Sequence, residues 1–182
     1  MAGDKKTGVV TEHSSRSAAR QSARIAILMG SDSDWPVMQQ AAKMLDEFGV
    51  SWEMHPFSAH RSPDLVREFV TQAPGRGIEI FIAAAGGAAH LAGVVASHTI
   101  LPVIGVPIES KSLKGLDSLL STVQMPKGVP VATVAIDNAA NAAILAVQCL
   151  ALSDKKLQQA LRNYKQKLVE GVRTADQKLP RG

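Results

Sequence analysis

Short apolar segments alternate with helix-like segments along most of this chain, and this alternation restricts the possible folds more than any other feature. The first apolar run, residues 25–29 (IAILM), is followed at once by Gly30, as expected for a strand that is buried on both faces. Asp34 then suits a helix N-cap, Pro36 suits the first turn of a helix, and Gly49 is placed to end it. This stretch therefore predicts one strand–loop–helix unit.

The same unit recurs along the chain. Strands alternating with helices at this spacing favour a parallel sheet with helices on both faces. We therefore expect an α/β fold, a flavodoxin-like three-layer α/β/α sandwich with a five-stranded parallel sheet. The remaining strands are predicted at residues 51–57, 78–84, 101–106 and 129–136, and the remaining helices at residues 63–73, 88–98, 116–123, 138–152 and 154–172.

The chain divides into a central body and two ends of different composition. Residues 1–23 are polar, show no apolar period and lack the apolar core of a signal peptide, so we predict a disordered tail. Residues 24–152 form the predicted catalytic α/β domain, and residues 153–182 a C-terminal helix and tail. The formal net charge of +4 arises at the two ends, because the body carries 8 basic and 11 acidic side chains. The basic total is therefore weak support for a nucleic-acid partner, and we expect none.

Other classes of protein are disfavoured by what the sequence lacks. A single cysteine, Cys149, excludes an intrachain disulfide, and the histidines do not match zinc-ligand spacing. No apolar run approaches the roughly 18 residues that a membrane span needs, so we expect no membrane partner and a cytoplasmic protein. No G-x-G-x-x-G or Walker loop follows a strand, which leaves dinucleotide and P-loop sites without support.

The loops after the first two strands carry polar residues where ligands of such sheets bind. In the first loop, a helix start suits a phosphate, and Asp34 suits the hydroxyls of a sugar. A capped helix start without a ligand is the alternative for this loop. The second loop places His60, which can exchange protons near neutral pH, beside Arg61, whose planar guanidinium suits phosphate. A solvated basic loop is the alternative there.

The third loop contains two glycines followed by a histidine. Gly86 and Gly87 allow close approach of the backbone to a ligand, and His90 is predicted about one turn inside the next helix. A single helical histidine is more often structural, but three such loops at one edge of a sheet converge on the same region. Residues 105–110 and 118–128 belong to the same edge, and their Met, Leu and Val side chains indicate walls or subunit contacts.

Five motifs follow one another along the chain: GSDSDW (30–35), SAHRSP (58–63), AGGAAHLAG (85–93), GVPIES (105–110) and SLLSTVQMPKGVPVATVAI (118–136). Together, in this order, they resemble the class I PurE family, the N5-carboxyaminoimidazole ribonucleotide (N5-CAIR) mutases of de novo purine synthesis. The resemblance covers residues 24–152. It implies flavodoxin-like subunits assembled into a homo-octamer, no metal or organic cofactor, and an aminoimidazole ribonucleotide as the small-molecule substrate. It also implies the transfer of a carboxylate from the exocyclic nitrogen of N5-CAIR to ring carbon four.

The resemblance also implies roles for individual residues. His60 is expected to be the general acid–base, and His90 to orient the migrating carboxylate. Asp34 is suited to the ribose, and Ser58 and Arg61 to the phosphate. The full set of expected substrate contacts is Ser31, Ser33, Asp34, Ser58, Arg61, Gly86, Gly87 and Leu91.

Some positions depart from the family pattern, and other functions stay open. Ser62 stands where the family often has Thr, Ala84 and Ala92 replace a common Gly and Pro, and the segment around Asp137 is shorter than usual. One alternative function is a class II-type AIR carboxylase that uses carbon dioxide, although Arg61 after the histidine favours class I. The other is a non-catalytic nucleotide-binding or flavin-binding module of the same fold.

Overall fold

Five parallel strands form one sheet in the computed structural model, which describes residues 22–180. The strands are β1 (Ile25–Met29), β2 (Trp52–His55), β3 (Ile80–Gly86), β4 (Val103–Ile108) and β5 (Ala132–Thr133). Their order in the sheet is β2-β1-β3-β4-β5, and every neighbouring pair is parallel. This order is that of a flavodoxin-like fold, which confirms the predicted fold class.

Helices cover both faces of the sheet, because the central strands are apolar on both sides. All five residues of β1 are buried: Ile25 and Ile27 join one core layer, and Ala26 and Leu28 join the other. The first layer is closed by α1 and α5, and the second by α2 and α3. The helices are α1 (Trp35–Glu47), α2 (Pro63–Gln72), α3 (Leu91–Ser97), α4 (Leu116–Val123), α5 (Ala139–Leu150) and α6 (Lys155–Gln177).

Helix α4 lies on the same face of the sheet as α3. A Cβ atom at Gly105 of β4 would collide with the Thr122 methyl group of α4 and would also touch the Cβ of Ala92 in α3. The missing side chain of Gly105 therefore lets α4 sit directly against the sheet. This close contact brings the inner side of α4 next to the loops that follow β3 and β4.

Two elements differ from the predicted bounds in ways that matter for the site. Strand β5 has two residues instead of the predicted 129–136, because Pro130 lacks a backbone N–H and this strand lies at the edge of the sheet. Helix α3 begins at Leu91, so the prediction that His90 lies one turn inside a helix is wrong: His90 is the N-cap. The preceding residues form tight turns instead, with the N–H of His90 donating to the carbonyl of Ala88 at 2.8 Å.

The C-terminal helix α6 divides into a packed half and an exposed half. Asp154 caps its first turn, Leu157 is buried against the core, and the Tyr164 ring lies 5.5 Å from the ring of Phe48. Every residue from 165 to 180 is exposed. No helix within residues 22–180 is both long enough and apolar enough to cross a membrane.

The division into a tail, a catalytic domain and a C-terminal helix stays a prediction. Apart from Ser22 and Ala23, the predicted disordered tail (residues 1–23) lies outside the described residues.

Candidate active site

A cavity of about 620 Å³ opens at the carboxyl ends of the first four strands. Such a volume suits a small-molecule ligand, and the carboxyl edge of a parallel sheet is where ligands of this fold bind. Nine of the ten residues that the sequence singled out line this cavity, and the tenth, His90, contacts one of them. The wall is formed by Gly30, Ser31, Ser33, Asp34, Ser58, Ala59, His60, Arg61, Ala85, Gly86, Gly87, Ala88, Leu91, Ile108, Glu109 and Ser110.

The loop after β1 is held by a capping box around a single 3-10 turn. The Ser31 hydroxyl accepts a hydrogen bond from the Ser33 N–H at 3.3 Å, and the Ser31 N–H donates to Asp34 Oδ2 at 3.2 Å. Asp34 is only 7% exposed, and this burial raises the pKa of its carboxyl above the ordinary value, although the hydrogen bond from Ser31 opposes the shift. The loop therefore presents an oriented, partly desolvated carboxyl group to the cavity.

The loop after β2 is organised by the hydroxyl of Ser58. This buried oxygen accepts hydrogen bonds from the backbone N–H groups of His60 at 3.3 Å and Arg61 at 3.2 Å. Ser62, at a position where the family often has Thr, also stabilises the turn, since its hydroxyl donates to the Ser58 carbonyl at 3.0 Å. The Ser58 hydroxyl keeps its own proton for a ligand while it fixes the backbone of His60 and Arg61.

The guanidinium group of Arg61 connects the first loop to the second. Its Nη2 donates to the Gly30 carbonyl at 2.8 Å, and it makes no ion pair with another described residue. A guanidinium has several further N–H groups, so most of this donor fork is left for an anionic ligand.

The two predicted histidines meet at the mouth of the cavity. His60 Nε2 lies 2.9 Å from His90 Nδ1, and the ring planes are nearly perpendicular, at 85°. A hydrogen bond between two imidazole nitrogens requires one donor and one acceptor, so the pair shares at least one proton. The contact leaves Nδ1 of His60 and Nε2 of His90 for a ligand, and both residues are exposed.

The third loop depends on partners from α4. The N–H of Gly87 donates to the Ser118 hydroxyl at 2.8 Å, and the N–H of Ala89 donates to the Ser121 hydroxyl at 3.1 Å. Gly87 has a φ of +64°, in the left-handed region that favours glycine. From the sequence, residues 118–128 are expected to form walls or subunit contacts. No local pattern connects Ser118 and Ser121 to a loop about 30 residues away.

The fourth loop adds cavity residues from the segment 105–110, which the sequence placed at this edge of the sheet without naming any of them as a substrate contact. Ile108 ends β4, and Glu109 and Ser110 follow it into the cavity wall. Their position at the end of a strand is the signal that could have named them, because ligands of this fold bind beyond the carboxyl ends of the strands. The Ser110 hydroxyl donates to Asp117 Oδ1 at 2.6 Å, and this bond lowers the pKa of the Asp117 carboxyl.

Asp137, in the segment that departs from the family pattern, also supports the fourth loop. Its Oδ1 accepts a hydrogen bond from the Glu109 N–H at 2.8 Å, and its backbone has a φ of +55°. Aspartate tolerates this left-handed conformation better than most residues do. In this chain the carboxyl of Asp137 therefore holds the start of the fourth loop.

Comparisons with known proteins agree on one family. The model of the family described as AIR carboxylase matches residues 24–170. An N5-carboxyaminoimidazole ribonucleotide mutase of Pyrococcus horikoshii is 60% identical over 140 residues, covering 77% of this chain and 79% of the relative. A chloroplastic phosphoribosylaminoimidazole carboxylase of Vigna aconitifolia is 51% identical over 87% of this chain, but that match spans 28% of the longer plant protein. The crystal structure of Treponema denticola PurE superposes with a TM-score of 0.80 at 28% identity, over 86% of this chain and 98% of that one.

Proposed function

We propose, from the premise that this chain belongs to the AIR carboxylase family, that it is an N5-CAIR mutase. The reaction moves a carboxylate from the exocyclic nitrogen of N5-CAIR to carbon four of the imidazole ring. The observation that carries the proposal is the pair of His60 and His90, 2.9 Å apart, at a cavity that also contains a carboxyl and a guanidinium group. Mutases at up to 60% identity among the relatives support the choice of substrate.

The polar groups of the cavity match the parts of a ribonucleotide. Arg61 makes no ion pair within residues 22–180, so its charge suits the phosphate, and the Ser58 hydroxyl has a proton to donate beside it. Asp34, held by the capping box, suits the hydroxyls of the ribose because a carboxylate accepts several hydrogen bonds. Ser31 and Ser33 lie on the same loop. The third loop supplies the remaining proposed contacts: Gly86, Gly87 and Leu91.

The chemistry needs one proton delivered and one proton removed. When the N–C bond of the carbamate breaks, carbon dioxide leaves and the exocyclic nitrogen takes a proton from protonated His60. Carbon four then attacks the carbon dioxide, and neutral His60 removes the proton from that carbon, which restores the aromatic ring. The enzyme ends in its starting protonation state, so a single acid–base group is sufficient. We propose that His90 hydrogen-bonds His60 and orients the migrating carboxylate.

A free carbon dioxide molecule must be kept beside the ring between the two steps. Small or apolar residues form part of the cavity wall: Ala85, Gly86, Ala88, Leu91 and Ile108. Their side chains offer no hydrogen bond to water, which favours recapture of carbon dioxide over its escape.

The test is a comparison of two substrates. With purified protein, we expect N5-CAIR to be converted to 4-carboxy-AIR at a rate that does not depend on added bicarbonate. The second candidate is an AIR carboxylase, favoured by the 51% identity to the plant carboxylase. It predicts rapid turnover of AIR at low bicarbonate, which would contradict the mutase assignment. A non-catalytic nucleotide-binding module predicts no turnover of either compound.

We also propose that the protein is a homo-octamer. Apolar side chains exposed on one protomer support subunit contacts: Leu116, Leu120 and Val123 on α4, and Leu168 and Val172 on α6. Light scattering should give a mass near eight times 19.3 kDa. A protein that stays monomeric at micromolar concentration would contradict this assembly. A cytoplasmic location is the remaining proposal, and cell fractionation tests it.

A further inference from the structure

Helix α4 contributes no residue to the cavity wall, yet two of its hydroxyl groups contact the loop that carries His90. Ser118 has no exposed surface, and its Oγ accepts a hydrogen bond from the Gly87 N–H at 2.8 Å. Ser121, about one helical turn after Ser118 on the same helix, accepts a hydrogen bond from the Ala89 N–H at 3.1 Å. The Ser121 Oγ also lies 3.2 Å from the carbonyl of Gly87. Two backbone N–H groups and one carbonyl of this loop thus contact serine hydroxyls on the inner side of α4.

The loop between β3 and α3 has few other hydrogen bonds of its own. It leaves the sheet after Gly86, passes through the left-handed conformation at Gly87 and enters the helix only at Leu91. The Ser118 hydroxyl is the partner of the Gly87 N–H, which is partly buried. Without that acceptor, a partly desolvated N–H would have to find water or move, and such a loss is costly in a folded protein.

The position of His90 follows from the path of this loop. His90 comes one residue after Ala89, and its Nδ1 must stay 2.9 Å from His60 Nε2 for the two rings to share a proton. A shift of the loop by about 1 Å would stretch this contact beyond hydrogen-bond distance, and misplacement on that scale is enough to reduce catalysis strongly. The histidine pair is therefore sensitive to whatever fixes residues 87–89.

We propose that Ser118 and Ser121 are positioning residues: they fix the Gly87–Ala89 backbone so that His90 stays in contact with His60. The inference rests on the proposed function, because it assigns them an effect on the rate of the same reaction. Neither serine touches the substrate in this proposal. Both act through two backbone amides, on a helix that the glycine at position 105 allows to sit directly against the sheet.

The same helix offers a matched control. Thr122 is 2% exposed and neighbours Ser121, but its hydroxyl donates to the Ser118 carbonyl at 2.7 Å, inside the helix, and not to the loop. Replacing Thr122 with Val removes one buried hydroxyl from α4 and keeps the shape of the side chain. Any general effect of losing a buried hydroxyl from this helix should appear in Thr122→Val as it does in Ser118→Ala.

The experiment compares Ser118→Ala with Thr122→Val in the full chain, using two readouts. For Ser118→Ala we expect kcat for N5-CAIR to fall about tenfold while KM stays within about twofold, because substrate contacts are kept and the histidine pair is disturbed. Hydrogen–deuterium exchange in the peptide covering residues 85–92 should be about tenfold faster. Thr122→Val should match the wild-type protein in both.

A second pair of variants, at Ser121, tests whether restoring the hydroxyl restores activity. It also keeps the inference testable if the Ser118→Ala protein does not fold. Ser121 is only half-buried, so Ser121→Ala should fold; it should lose kcat by about threefold, and Ser121→Thr, which keeps the hydroxyl, should recover it.

The inference is overturned if Ser118→Ala keeps wild-type kcat, if Thr122→Val loses as much as Ser118→Ala, or if exchange at residues 85–92 is unchanged. The exchange readout needs no substrate. If the wild-type protein converts no N5-CAIR, the proposed function fails by itself, and the exchange data still decide whether Ser118 holds the loop.

Discussion

In the loops after β1 and β2, the hydrogen bonds that set the backbone turns close within a few residues. Ser31 pairs with Asp34, three residues on, and Ser58 pairs with the N–H groups two and three residues on. In the loops after β3 and β4, the partners lie much farther along the chain. The bonds to Ser118 and Ser121 span 31 and 32 residues, and the bond from Glu109 to Asp137 spans 28.

The difference follows the proposed division of this site between binding and chemistry. The locally closed loops carry Asp34 and Arg61, the groups proposed for ribose and phosphate, and their backbone turns are held by bonds within each loop. The third loop carries His90, and its shape depends on a helix from another part of the chain. His60 belongs to a locally closed loop but contacts His90, so this one hydrogen bond joins the two kinds of loop. Substitutions on the two sides should therefore affect different kinetic constants.

The largest effect, on kcat, is expected for His60, whose side chain joins the two kinds of loop. His60→Asn should lower kcat by about 10³-fold, because the group that delivers and removes the proton is lost, while binding of the ribonucleotide changes little. Steady-state kinetics and a binding titration with AIR measure the two effects. His98→Asn is the control, since His98 follows the far end of α3, away from the cavity. Full activity in His60→Asn would remove the central claim.

A substitution in the first loop should act on binding instead. Asp34→Asn should raise KM by about 10- to 100-fold, the effect of losing hydrogen bonds to a charged acceptor. It should not lower stability, because Asn can still accept the Ser31 N–H. Kinetics and denaturant unfolding measure the two effects, and a large drop in stability with unchanged KM would show that Asp34 is structural.

The same variant carries a pH prediction. Burial raises the pKa of Asp34, so the folded state favours the protonated carboxyl, and the wild-type protein loses stability as pH rises through that raised pKa. Asp34→Asn has no such loss. Its free energy of unfolding should equal or exceed that of the wild type at pH 7, and the difference should shrink as pH falls through the raised pKa and vanish below 3.8, the ordinary value for Asp. A difference that grows towards low pH would contradict the assigned cause.

A smaller effect on KM is expected from the second loop. Arg61→Ala should raise KM about tenfold with little change in kcat, since a charged contact to phosphate is lost. Arg61→Lys keeps the charge but not the guanidinium fork that bonds the Gly30 carbonyl, so its KM should lie between the two. Kinetics at low and high salt measure the charge contribution, because screening weakens it. Unchanged KM in Arg61→Ala would show that this residue does not contact the phosphate.

The smallest effect on activity is expected for Asp137, which holds the fourth loop from 28 residues away. Asp137→Ala should lower the free energy of unfolding by about 2 kcal/mol, because the Glu109 N–H loses its acceptor and alanine is strained at a φ of +55°. Asp137→Asn, which keeps an acceptor and tolerates the left-handed region, should stay within about 0.5 kcal/mol of the wild type. Denaturant unfolding measures both. Equal losses in the two variants would show that the hydrogen bond is not the cause.

Much of the fold could be predicted, because its signals are local. The apolar run at 25–29, the Pro at residue 63 and the helix at 116–123 set elements that the structure reproduces at the same positions. The failures also have local causes. Strand β5 is short because of Pro130 and its position at the edge of the sheet. Helix α3 begins later than predicted because turns precede Leu91, and a hydrogen bond to another helix holds them.

The sequence by itself determined the alternation of strands and helices and which residue types stand at the ends of the strands. Those features depend on contacts within a few residues, which periodicity and capping rules describe. Only the tertiary structure decided that His90 ends a loop instead of lying inside a helix, that it contacts His60, and that α4 hydroxyls hold the loop between them. The physical reason is that a backbone N–H without a regular partner takes whatever acceptor the folded chain brings near it. For Gly87 that acceptor is a serine 31 residues away.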